Sequence, residues 1–408
     1  MMAEGEGAYG RKTPLALRPE DYPFFEPPVP QFIVAYDIPV KDKKLTWDEA
    51  SRCLNTLGRD ETGARYAYLM ITATDKKLTD ISIVLSFKHV LFLDFSGNFL
   101  TMEALQVLSQ MPFLILLKAD RNRIESGALG EMPYLQVLSL NINKVEETYD
   151  IAQPMLETLN LEFNQIFTAQ FESERLPHLK ELDLKGNHLM DISGMYPEHL
   201  ERLFAAQNKI TRISGLAMSK LTNLTTLHLR DNKIKKLNGF SEYFTKLEYL
   251  NVRNNNITKL RQFRKLACLP NLRTLIITGN PVRGKQRFDT VKGEGGAEED
   301  EDDPQEEAFG EDGPVRRMDP VRVGLLVLLP NLTRIDKDLV TLEEREEALM
   351  TKDKQMELIM GEISSDEETE PPTTTYTSEV GGESETDFED EKPVEIFNPS
   401  NTEEEDDD

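Results

Sequence analysis

The chain has 408 residues, a net charge of −26 from 47 Lys and Arg against 73 Asp and Glu, and two cysteines, Cys53 and Cys268. So few cysteines exclude the disulfide-rich caps of extracellular repeat scaffolds and fit a reducing compartment. The longest apolar runs, such as VGLLVLLP at 323–330, fall far short of the roughly 20 residues that span a bilayer.

The charge is concentrated. Residues 294–312 hold 11 acidic and no basic residues, and residues 361–408 hold 19 acidic residues and one lysine, Lys392, which leaves +3 for everything else. The two acidic stretches are too poor in apolar residues to form a core and read as disordered.

In chain order, residues 1–45 form a proline-rich arm, with EPPVP at 26–30, and the first dozen residues lack the apolar stretch of a secretory signal. GEGAYG at 5–10 matches the spacing of a phosphate-cradling loop, but a cradle needs a strand before it and a helix after it, and neither is predicted. Residues 46–89 read as an N-terminal cap. LTWDEASRCLNTLG predicts an amphipathic helix, with Thr46 and Glu49 as its capping box and Gly58 at its end. YAYLMITATDKKLTDI (66–81) predicts an edge strand and a degenerate first repeat.

From residue 90 to 282 one frame recurs nine times: L-x-x-L-x-L-x-x-N-x-L. It is anchored on Asn98, Asn122, Asn143, Asn164, Asn187, Asn208, Asn232, Asn255 and Asn280, at spacings of 21 to 25 residues. This is the period and consensus of a leucine-rich repeat. In each unit L-x-L makes a short strand whose leucines point inward, and the asparagine amide pairs with backbone left open where the chain turns. Gly97, Gly186, Gly239 and Gly279, with prolines such as Pro112 and Pro177, break the chain too often for a helical bundle. The fold class is therefore α/β, a leucine-rich-repeat solenoid curved as a horseshoe, with a parallel β-sheet on its concave face. Residues 283–315 form an acidic disordered insertion, and 316–360 a C-terminal cap with a second capping box, Thr341 and Glu344, opening a helix to about Met360. Residues 361–408 are an acidic disordered tail.

Nothing in the pattern carries enzyme chemistry, a cofactor or a metal. The five histidines, His89, His178, His188, His199 and His228, sit at different phases of different repeats, with no pair at metal-ligand spacing. What remains is a surface. The strand register turns three groups of side chains to the concave face: apolar Phe92, Leu116 and Val137, with Asp94 and Lys118 beside them; acidic Glu162, Glu181 and Asp183; and Arg202, Phe204, His228, Arg230, Tyr249, Arg253 and Ile276. An apolar strip rimmed by charge has the character of a protein-binding surface; packing of that strip against the chain's own arm or tail is the competing reading. A basic-aromatic cluster also suits nucleic acid, but the acidic segments repel phosphate. Arg230 and Arg253 are expected to be exposed.

The segments LLKADRNRIESGALGEMPYLQVLSL (116–140), LETLNLEFNQI (156–166) and NLTTLHLRDNKIKKLNGFS (223–241), with the closing LPNLTRIDKDLVTLEER, closely resemble the leucine-rich-repeat-containing protein 23 family, from about residue 46 to about residue 350. The resemblance implies a non-enzymatic component of the axonemal radial spoke, at the spoke head of motile cilia and flagella. It further implies other spoke proteins as partners, with no nucleic acid, membrane or small-molecule substrate. A regulatory adaptor that binds a protein phosphatase along the concave face is an alternative that composition does not separate from the scaffold.

Overall fold

The computed structural model describes residues 40–59, 63–213, 221–284 and 318–361. Most of the proline-rich arm, the acidic insertion and the acidic tail lie outside the described residues.

The nine repeat strands are β3 (Phe92–Asp94), β4 (Leu116–Lys118), β5 (Val137–Ser139), β6 (Thr158–Asn160), β8 (Glu181–Asp183), β10 (Arg202–Phe204), β11 (Thr226–His228), β12 (Tyr249–Asn251) and β13 (Thr274–Ile276). They pair parallel, neighbour on neighbour, with their central leucines in register from Leu93 to Leu275. Those leucines are fully buried, each worth about 2 kcal/mol relative to exposure. The atypical third positions, Phe95, Ala119 and Ala205, also point inward and are buried. The backs of the repeats are short 3-10 segments such as Ser82–Ser86, a helix at Met102–Gln106, and a small parallel pair, β7 (Ala169–Gln170) with β9 (Gly194–Met195).

Each ladder asparagine is buried and ties two repeats together. Asn232 donates through Nδ2 to the carbonyls of Ala205, one repeat earlier, and Leu229. Its Oδ1 accepts from the Ile210 amide at 3.0 Å. Asn143 does the same for Ala119, Leu140, Asn122 and Ile124. Only an amide supplies two donors and an acceptor in so small a group. The residue before the asparagine has positive φ in all nine repeats. Glycine occupies it at Gly97, Gly186 and Gly279, but Arg121, Ile142, Phe163, Gln207, Asp231 and Asn254 hold it elsewhere at φ 53–56°. For the β-branched Ile142 this is a strained conformation, imposed by the repeat on both sides.

The N-terminal end differs from the sequence expectation. The capping box of Thr46 and Glu49 forms, but the helix stops at Arg52 and Gly58 does not end it. Leu54–Arg59 is instead a strand, β1, antiparallel to β2 (Tyr66–Thr72), and β2 pairs parallel with β3. The sheet edge is thus β1, and β2 is an internal strand. The open backbone row of β2 is the stronger demand: pairing it satisfies a strand's worth of donors and acceptors, while extending a short helix satisfies fewer. Gly58 pairs with Ala67, and the nearby Leu69 side chain fills the space a Cβ would need.

At the other end β14 (Arg334–Ile335) adds to β13 in parallel and turns back as β15 (Asp338–Leu339). Asp336, next to Ile335 and level with Ile276, closes the last repeat, its Oδ1 accepting from Ile277 at 2.7 Å and Thr278 at 2.9 Å. The apolar run at 323–330 supplies a helix, Pro320–Leu328, buried from Arg322 onward. Arg322 holds the cap: its guanidinium bonds both carboxylate oxygens of Glu344 and the Ile335 carbonyl. Helices Leu342–Met350, opened by the Thr341–Glu344 capping box, and Lys352–Gly361 complete the end.

Candidate functional site

Strand pairing places the concave residues in rows, one residue per strand, about 4.8 Å apart. In the first row Phe92, Leu116 and Val137 stand opposite one another, half-buried. The row continues beyond the residues singled out from sequence, because β2 places Met70 beside Phe92. Tyr68 lies two residues before Met70 on the same face, paired with Leu57 of β1. Leu57 is 64%, Tyr66 69% and Tyr68 51% exposed. Leu57 falls in the segment expected as a helix ending at Gly58, while Tyr66, Tyr68 and Met70 fall on the strand expected at 66–81, whose place inside the sheet beside β3 the repeat frame does not show.

Beside this strip Asp94 accepts from its own Ser96 amide and hydroxyl, while Lys118 stands exposed. Asp120 is tied to the Ser139 hydroxyl at 2.6 Å and the Asn141 amide at 2.8 Å, and burial raises its pKa despite those bonds.

In the middle of the face Glu162 and Asp183 come together. Burial and the neighbouring Glu162 charge hold the Asp183 carboxyl well above its ordinary range. Lys185 offsets the pair in part, 3.4 Å from Glu162 and over the Phe163 ring. Glu181 turns away from this pair to Arg202, which binds it through Nε at 2.8 Å and through Nη2. Arg202 therefore closes the acidic group as much as it opens the basic one.

Toward the C-terminal end, His228 lies between the rings of Phe204 and Tyr249, with centroids 4.8 and 4.9 Å away. Burial, and then the Arg230 charge, lower its pKa to about 4, so the imidazole is neutral at physiological pH. Its Nε2 is buried and has no hydrogen-bond partner among the described residues. Arg230 and Arg253 are half-buried, which corrects the expectation that both are exposed, and Arg230 is paired with Asp231 at 2.9 Å. Ile276 stands beyond Asn251 at the far end of its row. The face thus gathers the sequence-selected residues into three separate groups, with Phe92 and Ile276 on the order of 40 Å apart along the sheet.

Among the described residues, no group of three or more His, Cys, Asp or Glu is placed to hold a metal ion. No helix there is long and apolar enough to cross a membrane.

Family models for leucine-rich repeats match residues 175–196, 198–242 and 222–282. The leucine-rich repeat-containing protein 23 of Bos taurus is 35% identical over 328 residues, covering 74% of this chain and 78% of its own length. That of Homo sapiens matches to the same extent. The chain belongs to the leucine-rich repeat-containing protein 23 family. Among solved structures, a leucine-rich-repeat protein of Leptospira interrogans shares 25% identity over 50% of this chain and 53% of its own, with a TM-score of 0.40.

Proposed function

We propose that the protein is a non-enzymatic scaffold of the ciliary and flagellar axoneme. In this reading it is a radial spoke component, at the spoke head, that holds other spoke proteins through its concave face. It works in the cytoskeleton of the cilium and needs no cofactor, nucleic acid, membrane or small molecule. Family membership supports the setting. The observation that carries the binding role is the apolar strip from Leu57 and Tyr68 through Met70 to Val137, laid on a sheet whose backbone is already ordered. A rigid surface loses little conformational entropy on docking, so its contacts convert more fully into affinity.

Cross-linking and mass spectrometry on isolated axonemes, with a nuclear fraction of ciliated cells beside them, test this. Cross-links to spoke-head proteins are expected. Recovery with nuclear proteins or a phosphatase alone would overturn the scaffold reading and favour the phosphatase adaptor. Leu57→Asp with Tyr68→Asp should remove those cross-links while the protein stays folded, because both side chains are exposed.

A further inference from the structure

The near-neutral charge of the folded body conceals a division. Residues 90–206 carry 17 acidic and 8 basic residues, whereas residues 207–284 carry 3 acidic and 15 basic. Many of these cations stand just after the ladder asparagines, outside the concave face. Backbone bonds from Lys209 to Leu189, Lys233 to Ile210 and Asn256 to Ile234 stack these segments rung on rung. Lys209, Arg212, Lys233 and Lys235 are exposed on them, and Lys236 and Lys259 extend the Arg212 position into the next two repeats.

Several cations elsewhere are paired: Lys144 with Glu125, Lys185 with Glu162, Arg202 with Glu181, Arg230 with Asp231. Among the described residues no carboxylate pairs with Lys209, Arg212, Lys233 or Lys235. At the Lys235 and Arg212 positions of earlier repeats stand Glu125, Glu146, Glu147 and Asp191, the last bridged to Arg212 along the backbone, while the Lys209 position holds Arg123 and Lys144 there. Acidic side chains on these rows end at Asp191, and the rungs at 209–212, 233–236 and 256–259 carry none.

We infer that the lateral face of the sixth to eighth repeats is a docking surface for an acidic polypeptide segment of a partner protein. Three rungs span about 10 Å from first to last, the length of roughly three extended residues, and Asp191 on the rung before Lys209 sets where such a segment stops. Lysine ammoniums act as point charges and pair with carboxylates without demanding one geometry. No aromatic side chain stands at these positions on the three rungs to stack a base. A duplex carries one charge per about 1.7 Å, so repulsion from the chain's net −26 weighs more on it than on a short acidic segment. The inference is independent of the concave face and of the axonemal setting.

Fluorescence anisotropy with the full chain and a fluorescein-labelled peptide of about eight glutamates, in about 50 mM salt, tests it. Saturable binding is expected, weakening as salt rises. The exposed triple variant Lys209→Glu, Lys233→Glu, Lys235→Glu should lose about tenfold or more in affinity with an unchanged melting temperature. A charge-matched control, Lys41→Glu, Lys77→Glu, Lys88→Glu, at exposed sites off the concave face and outside the three rungs, should stay within about twofold. Absence of binding would overturn the inference, as would equal loss in the control, which would reduce the effect to net charge. Tighter binding of a DNA duplex through the same three lysines would reassign the face to nucleic acid.

Discussion

The first five repeats and the last four share one skeleton and carry opposite surfaces. Asn143 in the acidic half and Asn232 in the basic half make the same bonds to the same backbone positions. Leu138 and Leu227 occupy equivalent buried sites, each with no exposed surface. The charges between these invariant positions are free to differ because they never enter the core. In a solenoid, shape and specificity are written at different positions of the same repeat, so one surface can change sign along the array without altering the fold.

If the halves are one skeleton, damage to either should be equally severe. The largest effect is expected from Leu138→Asp and Leu227→Asp, each of which buries an unpaired charge and should cost about 4 kcal/mol or more in urea unfolding. A much smaller loss in one half would mean that the halves differ in the core as well as at the surface. Next come Asn143→Ala and Asn232→Ala. Each strands buried carbonyls and an amide, and each should cost about 2–3 kcal/mol, with a matched fall in melting temperature.

Acid should separate the halves. The His228 pKa is depressed to about 4 in the folded chain against 6.5 in its absence. Its neutral form therefore stabilises the folded state fully above about pH 6.5, and that stability is lost as pH falls toward 4. Asp183 has the opposite sign. Its folded pKa is raised by burial and by Glu162, so its protonated form favours folding, and the advantage is lost as pH rises from the ordinary carboxylate range through the raised value. His228→Phe should flatten the acidic limb of a melting-temperature profile between about pH 6.5 and 4, the range set by those two values. Asp183→Asn should raise the melting temperature at neutral pH by a smaller amount and leave that limb in place. A profile unchanged by either substitution would show that both groups are better solvated than their surroundings indicate.

The repeat frame was legible because its demands are local and repeated: a leucine every few residues, and an asparagine wherever the chain leaves the sheet. The same register was enough to place Phe92, Leu116 and Val137 side by side. It did not reveal that Glu181 turns to Arg202 rather than joining Asp183, because side-chain pairing depends on which neighbour lies nearer across the strands. Nor did it show that Arg230 is half-buried beside Asp231. The left-handed residue before each asparagine was visible only where it is glycine. Ile142 and Phe163 adopt the same conformation without a sequence signal, since the repeats on either side impose it.

The amino-acid pattern alone settles the solenoid, its number of repeats and the inward face of every strand, since periodicity and burial are properties of the chain taken a repeat at a time. The fate of residues 54–59, the reach of the apolar strip to Leu57 and Tyr68, and the closing of the last repeat by Asp336 belong to the assembled structure. Each answers an unsatisfied sheet edge or a last open rung. Such a demand exists only once the neighbouring repeats are in place, and no window of local sequence contains it.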